Sequence, residues 1–342
     1  MSDLDKATRE LFIRSLVDEV FMATPVIETL KRRNQVSYSG GKYIERLVDT
    51  ADIDDLVQEY TANTALRDEK KETLDKPRFT WRLAQLPLRY DADEYLQNIG
   101  AGNEEQLLDL AQFLVGKGLR GTKRYLEKRV FNTGSTTPIS DSSATMQSLV
   151  SALNHDTAYG TLTRTLSSAT RSWWQGADPA GLNESITTSS QDTAYNLTIS
   201  NIRKWTTETS VAHNMETPSD LEVFMCPALY NKLRAEMESK MVYNPAPAGN
   251  AVQKIQKMVI DNMTFTSVPY LQTTATMRTW VFILNMKWWE LRVHTKRNFT
   301  TTDFKWQGEN SNGYDFWLAR ILWSCNLICG KPNSSMFLSN VS

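Results

Sequence analysis

Cysteine and histidine are nearly missing from this chain, with three of each among 342 residues. The odd, scattered set Cys226, Cys325 and Cys329 excludes a disulfide framework, and no zinc-type spacing occurs. Cys325 and Cys329 fall on one face of a strand-like run and read as reduced core thiols. His155, His213 and His294 lie far apart without H-E-x-x-H or related spacing, so no metal is expected. A G-x-S-x-G elbow is also lacking. No apolar window approaches the length of a transmembrane helix, and the N-terminus is charged from Asp3 onward with no secretory apolar region. The expected location is therefore inside a cell, or in a particle assembled there. N-x-[ST] strings such as Asn183-Glu184-Ser185 and Asn298-Phe299-Thr300 carry no meaning without secretion. Charge of one sign is missing too: 38 Lys and Arg face 39 Asp and Glu. A balanced chain has no global attraction to nucleic acid or membrane, so any such contact must be local.

What is present suffices for one large or two ordinary domains, since 41% of residues are hydrophobic. Residues 2–23 read as an amphipathic helix, capped by Ser2, with Leu4, Leu11, Phe12, Leu16, Val20 and Phe21 on its apolar side. Pro25 is expected to stop it. Asn34 to Val48 reads as extended, broken by Gly40-Gly41. Residues 49–78 are polar, with Arg67, Asp68, Glu69, Lys70, Lys71, Glu72, Asp75, Lys76 and Arg78 crowded together in alternating sign. Asp49, Asp52, Asp54 and Asp55 could hold a divalent cation, but without the frame of a calcium loop they read as a solvated acidic loop. A second extended run follows: Phe79, Trp81 and Leu83 alternate, then the phase shifts to Leu86, Leu88 and Tyr90. Pro87 removes a ladder donor, which puts this strand at an edge or a bulge. Two extended runs around a charged tip make a long projecting hairpin. Such an arm cannot bury both its faces in one monomer, and it predicts assembly.

From Asn103 to Phe131 apolar residues recur at helical spacing (Leu108, Val115, Leu119, Leu126 and Val130), with Asn103 as cap and Gln106 as its capping-box partner. A helix of that length spans about 40 Å at 1.5 Å per residue. Inside it lies a literal G-x-G-x-x-G string, Gly116 to Gly121. A dinucleotide fingerprint needs a strand before the glycines and an acidic residue ending a second strand. Neither is present, so the helix is the better reading and no cofactor is expected. Nor is Gly116 to Lys123 a P-loop, because Thr122 and Lys123 stand in the wrong order. The same helix carries Lys117, Arg120, Lys123, Arg124, Lys128 and Arg129, opposed only by Glu127. That stripe is either a solvated face or a surface for phosphates without sequence readout.

Thr133 to Thr145 reads as a Ser/Thr-rich loop, and Ala194 to His213 as a helix around Leu197, Ile202 and Trp205. Leu221 to Met225 reads as a short buried strand, followed by a helix opened by Pro227 and running to Lys240. Pro245 and Pro247 mark a loop. The last eighty residues are aromatic strand material: Trp280 to Leu284, Trp288 to Val293, Phe299 to Trp306 and Phe316 to Cys329. In the last run Trp317, Ala319, Ile321, Trp323, Cys325, Leu327 and Cys329 share one face, the pattern of a strand packed on one side. The tryptophans fit core or interface packing better than an open base-stacking platform.

The order of these parts resembles the major capsid proteins of tailed bacteriophages, the HK-ninety-seven-type coat fold. The likeness rests on Asn34 through Ile44, the hairpin return Trp81 to Tyr90, the helix 103–131, and the strand–proline–helix Phe224-Met225-Cys226-Pro227-Ala228-Leu229-Tyr230. It covers most of the chain through the order of features rather than an invariant string. Where many relatives have a proline after the Gly-Gly strand, this chain has Leu47.

That resemblance implies an α+β subunit with five parts: an N-terminal helical arm (1–33), an extended loop (34–95), a peripheral domain with the long spine helix (96–139), an axial domain (140–275), and C-terminal strands returning to the peripheral domain (276–342). It implies hexamers and pentamers closing an icosahedral shell around double-stranded DNA, a portal at one vertex, and a separate scaffolding protein, since the arm begins almost at Met1. Lys117, Arg120, Lys123, Arg124 and Lys128 would face packaged DNA. Arg67, Glu69, Lys70, Lys71, Glu72 and Lys76 would meet a neighbouring subunit, where opposite charges set register more than strength. Some relatives crosslink a loop lysine to a neighbour's asparagine, and Lys70, Lys71 or Lys76 with Asn310 or Asn312 would be the candidates here. An encapsulin-like compartment shares the implied fold, and a dinucleotide enzyme built on Gly116 to Gly121 is the alternative of another class.

Overall fold

The structure is a computed structural model that describes residues 25–50, 53–61, 65–66, 68–94, 105–154, 158–164, 174–176, 196–212, 220–240, 258–307 and 315–341. The expected arm helix over 2–23, Arg67, His155, His213, the Pro245/Pro247 loop, Asn310 and Asn312 lie outside the described residues. In chain order the elements are α1 (Pro25–Arg32), β1 (Val36–Ser39), β2 (Tyr43–Glu45), β3 (Val48–Asp49), β4 (Leu74–Asp75), β5 (Arg78–Thr80) and β6 (Arg82–Asp91). Then come α2 (Glu105–Val130), α3 (Leu149–Leu153), α4 (Ile199–Ala212), β7 (Leu221–Met225), α5 (Pro227–Lys240), β8 (Met258–Ile260) and β9 (Met263–Ser267). The chain continues through β10 (Val281–Asn285), β11 (Trp289–His294), β12 (Thr300–Thr301), β13 (Lys305–Trp306), β14 (Phe316–Cys329) and β15 (Met336–Leu338).

Strand β14 organises a six-stranded sheet. Along one side it pairs antiparallel with all of β6, from Arg82 opposite Cys325 to Asp91 opposite Phe316. Along its other side it meets β11, β12 and β13 in turn, and β1 adds parallel to β11. The expected single strand from Phe299 to Trp306 is thus two short pieces, interrupted beyond Phe299, whose own φ is +49°. The one-sided reading of β14 holds only for its first half. From Trp323 to Cys329 both faces are buried. The polar Asn326 is tolerated there because its side chain accepts from the Gln147 N–H at 2.9 Å and donates to the Thr80 carbonyl at 3.1 Å.

Pro87 lies opposite Arg320, whose own N–H and C=O engage Thr302 on the far side of β14. Pro87 is therefore a non-hydrogen-bonded position relative to β14, and the N–H it lacks would have pointed off the edge of β6 that no described strand pairs. The expected edge strand is observed.

The second sheet has five strands in the order β15-β10-β7-β9-β8. All of β7 is buried, and Pro227 opens α5 directly after it. Between them the Cys226 thiol donates to the Arg278 carbonyl at 3.0 Å and accepts from the Leu229 N–H at 3.4 Å. Phe282 stacks on Phe337 at 4.5 Å, with Trp280 edge-on to both. The C-terminal strands consequently do not all return to one place. β10 and β15 complete the sheet of β7, while β11 to β14 build the other.

Pro25 does not merely end an arm: it opens α1, whose Val26, Ile27 and Leu30 are buried. A proline at the first helical position forfeits no internal hydrogen bond, and its fixed φ suits the helix. Arg32 and Arg33 at its end reach the buried Glu222 of β7 at 2.8 and 3.1 Å, tying this segment to the second sheet.

Candidate functional site

Two surfaces are candidates for function beyond packing, and the first is the face of α2 turned away from the sheet. The helix runs unbroken from Glu105 to Val130. Gly116, Gly118 and Gly121 lie inside it, so their N–H groups belong to the helical ladder instead of a phosphate cradle. That overturns the dinucleotide reading. Gly118 serves packing: a Cβ there would fall 2.8 Å from Cδ2 of Leu88 and 3.3 Å from Cδ1 of Ile321. Gly116 and Gly121 have nothing within 4 Å. Gly118, Leu119, Thr122, Leu126 and Val130 form the face against the sheet.

At 100° per residue, Lys117, Arg120, Gly121, Arg124 and Lys128 fall within an arc of about 100° on the opposite face. All five are exposed. Between Lys117 and Lys128 the only acid is Glu127. It sits half-buried at the margin of the stripe, and desolvation raises its carboxyl above the ordinary glutamate value. The helical position of Lys123 is a third of a turn from Lys117, and its side chain lies outside the described residues. Arg129 turns away from the stripe, its guanidinium 5.2 Å from the Tyr125 ring.

The second surface is the hairpin. β2 pairs with β5 and β3 with β4, so the stem is as the sequence suggested, while β1 and β6 diverge into the six-stranded sheet. Trp81 fastens its base by donating to the Gly41 carbonyl at 2.9 Å. Arg46 fills the notch over Gly330, where a Cβ would come within 2.5 Å of its guanidinium carbon, and lies 5.4 Å from the Trp288 ring.

Of the loop residues expected at a subunit contact, Glu69, Lys70 and Glu72 are exposed. Lys71 pairs with Asp55 at 2.8 Å and holds that carboxyl below its usual range. Lys76 and Arg78 converge on Glu45, lowering its pKa, chiefly through the Lys76 hydrogen bond. Those two cations therefore brace the stem within one chain.

Sequence reading missed the loop's apolar side chains. Leu47, Ile53, Val57, Tyr60, Leu66 and Leu74 are each 59–76% exposed. They follow no periodicity that would flag them, and only burial shows that the described residues leave them uncovered. Among the described residues no group of three His, Cys, Asp or Glu could hold a metal ion. His294 packs edge-on to Trp81 at 5.0 Å, and its Nδ1 accepts from the Lys296 N–H.

The same architecture recurs in solved phage shells. Against the cyanophage A-1(L) capsid the likeness covers 90% of both chains at TM-score 0.62 and 10% identity. The mature capsid of bacteriophage PhiM1 matches 91% of this chain and 86% of its own at TM-score 0.52 and 12% identity. The capsid of the empty GTA particle matches 92% and 96% at TM-score 0.52 and 9% identity. No family model and no curated protein matches the sequence. The chain has the phage capsid fold, reached through a sequence nearly unlike those that share it.

Proposed function

We propose that this chain is the major capsid protein of a tailed bacteriophage, a structural subunit that assembles into hexamers and pentamers of an icosahedral shell around double-stranded DNA. The observation that carries this is a phage capsid fold over nine-tenths of the chain combined with a projecting loop whose apolar side chains stay uncovered in the monomer. Isolated apolar side chains are ordinary on a surface, but six on one protruding hairpin call for a partner.

On this reading residues 1–33 are the arm, 34–95 the extended loop, and α2 the spine of the peripheral domain. The β7 sheet is the axial domain, completed by β10 and β15. The exposed cations of α2 face packaged DNA and neutralise phosphates without reading bases. A scaffolding protein guides closure, and a portal occupies one vertex.

Negative-stain microscopy of the purified chain, with and without a co-expressed scaffold, tests the proposal. Closed shells, tubes, or hexameric and pentameric rings are expected. A stable monomer or dimer under every condition overturns it. Shells that enclose a copurifying protein and no nucleic acid would instead favour an encapsulin-like compartment.

A further inference from the structure

Residues 39–42 and 294–297 form two turns that follow the parallel pair β1 and β11, and register holds them side by side. Ser39 stands opposite His294, and the Thr295 N–H donates to the Ser39 carbonyl at 3.2 Å. Parallel pairing brings the C-terminal ends of both strands to one corner of the sheet. Trp81 braces that corner from the hairpin side. Its indole N–H donates to the Gly41 carbonyl at 2.9 Å, and His294 packs edge-on to its ring at 5.0 Å. The two turns are thus held together where the hairpin leaves the sheet.

This corner offers donors and positive charge. Lys42, Thr295, Lys296 and Arg297 are exposed. Neither 34–44 nor 291–302 contains an Asp or Glu, and the flanking Glu45 and Glu290 are committed to Lys76, Arg78 and Arg292. Among the described residues Lys42, Lys296 and Arg297 enter no ion pair. The His294 Nδ1 accepts the Lys296 N–H at 3.2 Å, which leaves the ring hydrogen of the neutral imidazole on Nε2. That Nε2–H has no acceptor among the described residues. Nε2 and the Thr295 hydroxyl oxygen each lie 3.9 Å from the place a Cβ on Gly40 would take. Gly40 lacks the positive φ of Gly41 (+115°), and contacts at 3.9 Å are ordinary, so neither strain nor crowding calls for a glycine there. What its missing side chain leaves is open space beside two donors, with three cations on the same two turns.

We propose that this notch over Gly40 binds one phosphate-class oxyanion, and that the bound anion ties the base of the hairpin to the sheet. The His294 Nε2–H and the Thr295 hydroxyl donate to it, and Lys42, Lys296 and Arg297 supply the positive charge. Donors of this kind bond most strongly to a charged acceptor, and an acceptor-rich anion matches a surface that offers donors. A free anion fits better than a nucleic-acid backbone. The donors gather round a single residue, whereas a duplex needs an extended row such as α2 carries. The anion meets the hairpin through Lys42 and the sheet through residues 294–297, so it bridges the two. The site belongs to the single chain and does not rest on the shell reading.

Equilibrium dialysis of the full chain against inorganic phosphate, at constant ionic strength in chloride, tests the site, with circular dichroism as the check on folding. One equivalent is expected to bind saturably. Lys296→Gln with Arg297→Gln is expected to weaken binding by about tenfold or more. Gly40→Val should do the same by filling the notch while every charge stays. Lys305→Gln, at an exposed cation on another strand, should change nothing. Phosphate should also slow hydrogen exchange at residues 42–44 in the wild type and not in Gly40→Val. Because phosphate stabilises proteins generally by exclusion from their surface, that difference is the readout. No saturable binding, or unaltered binding in either variant that folds, overturns the site. Binding with exchange at 42–44 unchanged overturns the tie to the hairpin. A short duplex DNA is the second arm, and its affinity should be the same for wild type and Gly40→Val. Loss of duplex binding in that variant would instead give the notch to a nucleic-acid phosphate.

Discussion

Gly118 and Leu88 meet so closely that a single added carbon on the glycine would sit 2.8 Å from the leucine Cδ2. Leu86 and Ile321 close the same spot from two more sides, at 3.2 and 3.3 Å. Helix α2 thus rests on its sheet at a point where only a hydrogen fits. Gly118→Val is expected to cost roughly 1–3 kcal/mol by overpacking. Gly116→Ala and Gly121→Ala, in open space, should each raise stability by up to about 1 kcal/mol through helix propensity. Urea denaturation of the unassembled chain separates these cases. An equal response at all three glycines would mean that close approach is not what requires one at 118.

The cationic face of α2 should behave as a counterion-releasing surface. Replacing Lys117, Arg120, Arg124 and Lys128 by glutamine is expected to leave folding and shell formation intact. It should lower the slope of log K against log salt for duplex DNA by about 3–4, near 0.9 per phosphate contact. Fluorescence anisotropy across a salt series gives the slope, and nuclease-protected DNA in particles gives the retention. An unchanged slope and unchanged retention would reduce the stripe to solvated surface.

Desolvation raises the Glu127 carboxyl, so the native chain holds this proton to higher pH than the unfolded chain does. Stability from this group is full at acid pH and is lost as pH rises through the shifted value, because the native state binds more protons in that window. Glu127→Gln removes the cost. Its Tm at pH 7 should exceed wild type by roughly one or two degrees, a modest gain for a half-exposed side chain. The difference should vanish once the glutamate is protonated. A variant that melts below wild type at pH 7 would show that the carboxylate makes a contact worth more than its desolvation.

Burial pushes the Cys325 and Cys329 thiols up to about 12. With Cys226 also buried, a soluble alkylating reagent at pH 8 is expected to leave the native chain unmodified. The denatured chain should take up three labels, read by intact mass. Rapid labelling of Cys325 in the folded chain would show that β14 opens toward solvent far more often than its pairing suggests.

Most local signals were legible in the sequence, and partnerships beyond the hairpin stem were not. The strand Leu221–Met225 and the helix from Pro227 to Lys240 stand where apolar content and a first-turn proline put them. Phe316 to Cys329 is a single strand, as its long alternation required. That alternation equated polar with exposed, and Asn326 breaks the equation: a buried amide that keeps both its hydrogen bonds is invisible to a hydropathy pattern. The division of the last eighty residues between two sheets could not be read either, because β10 and β11 look alike locally and differ only in which distant strand each one meets. For the site, the α2 cations were legible because helical spacing gathers them onto one face. The uncovered apolar side chains of the loop were not, because they follow no periodicity and only burial distinguishes them.

The proline in the middle of β6 bears on how one copy of the chain meets another. Along the flank that no described strand pairs, β6 offers a row of backbone groups that another strand could copy. Such zipping is quick, needs no particular side chains, and ends in fibres. Pro87 deletes one rung of that row at its midpoint and so shortens every wrong pairing to a few hydrogen bonds, too few to persist. The residue that looks like a flaw in the strand thereby guards the chain against strand-to-strand association.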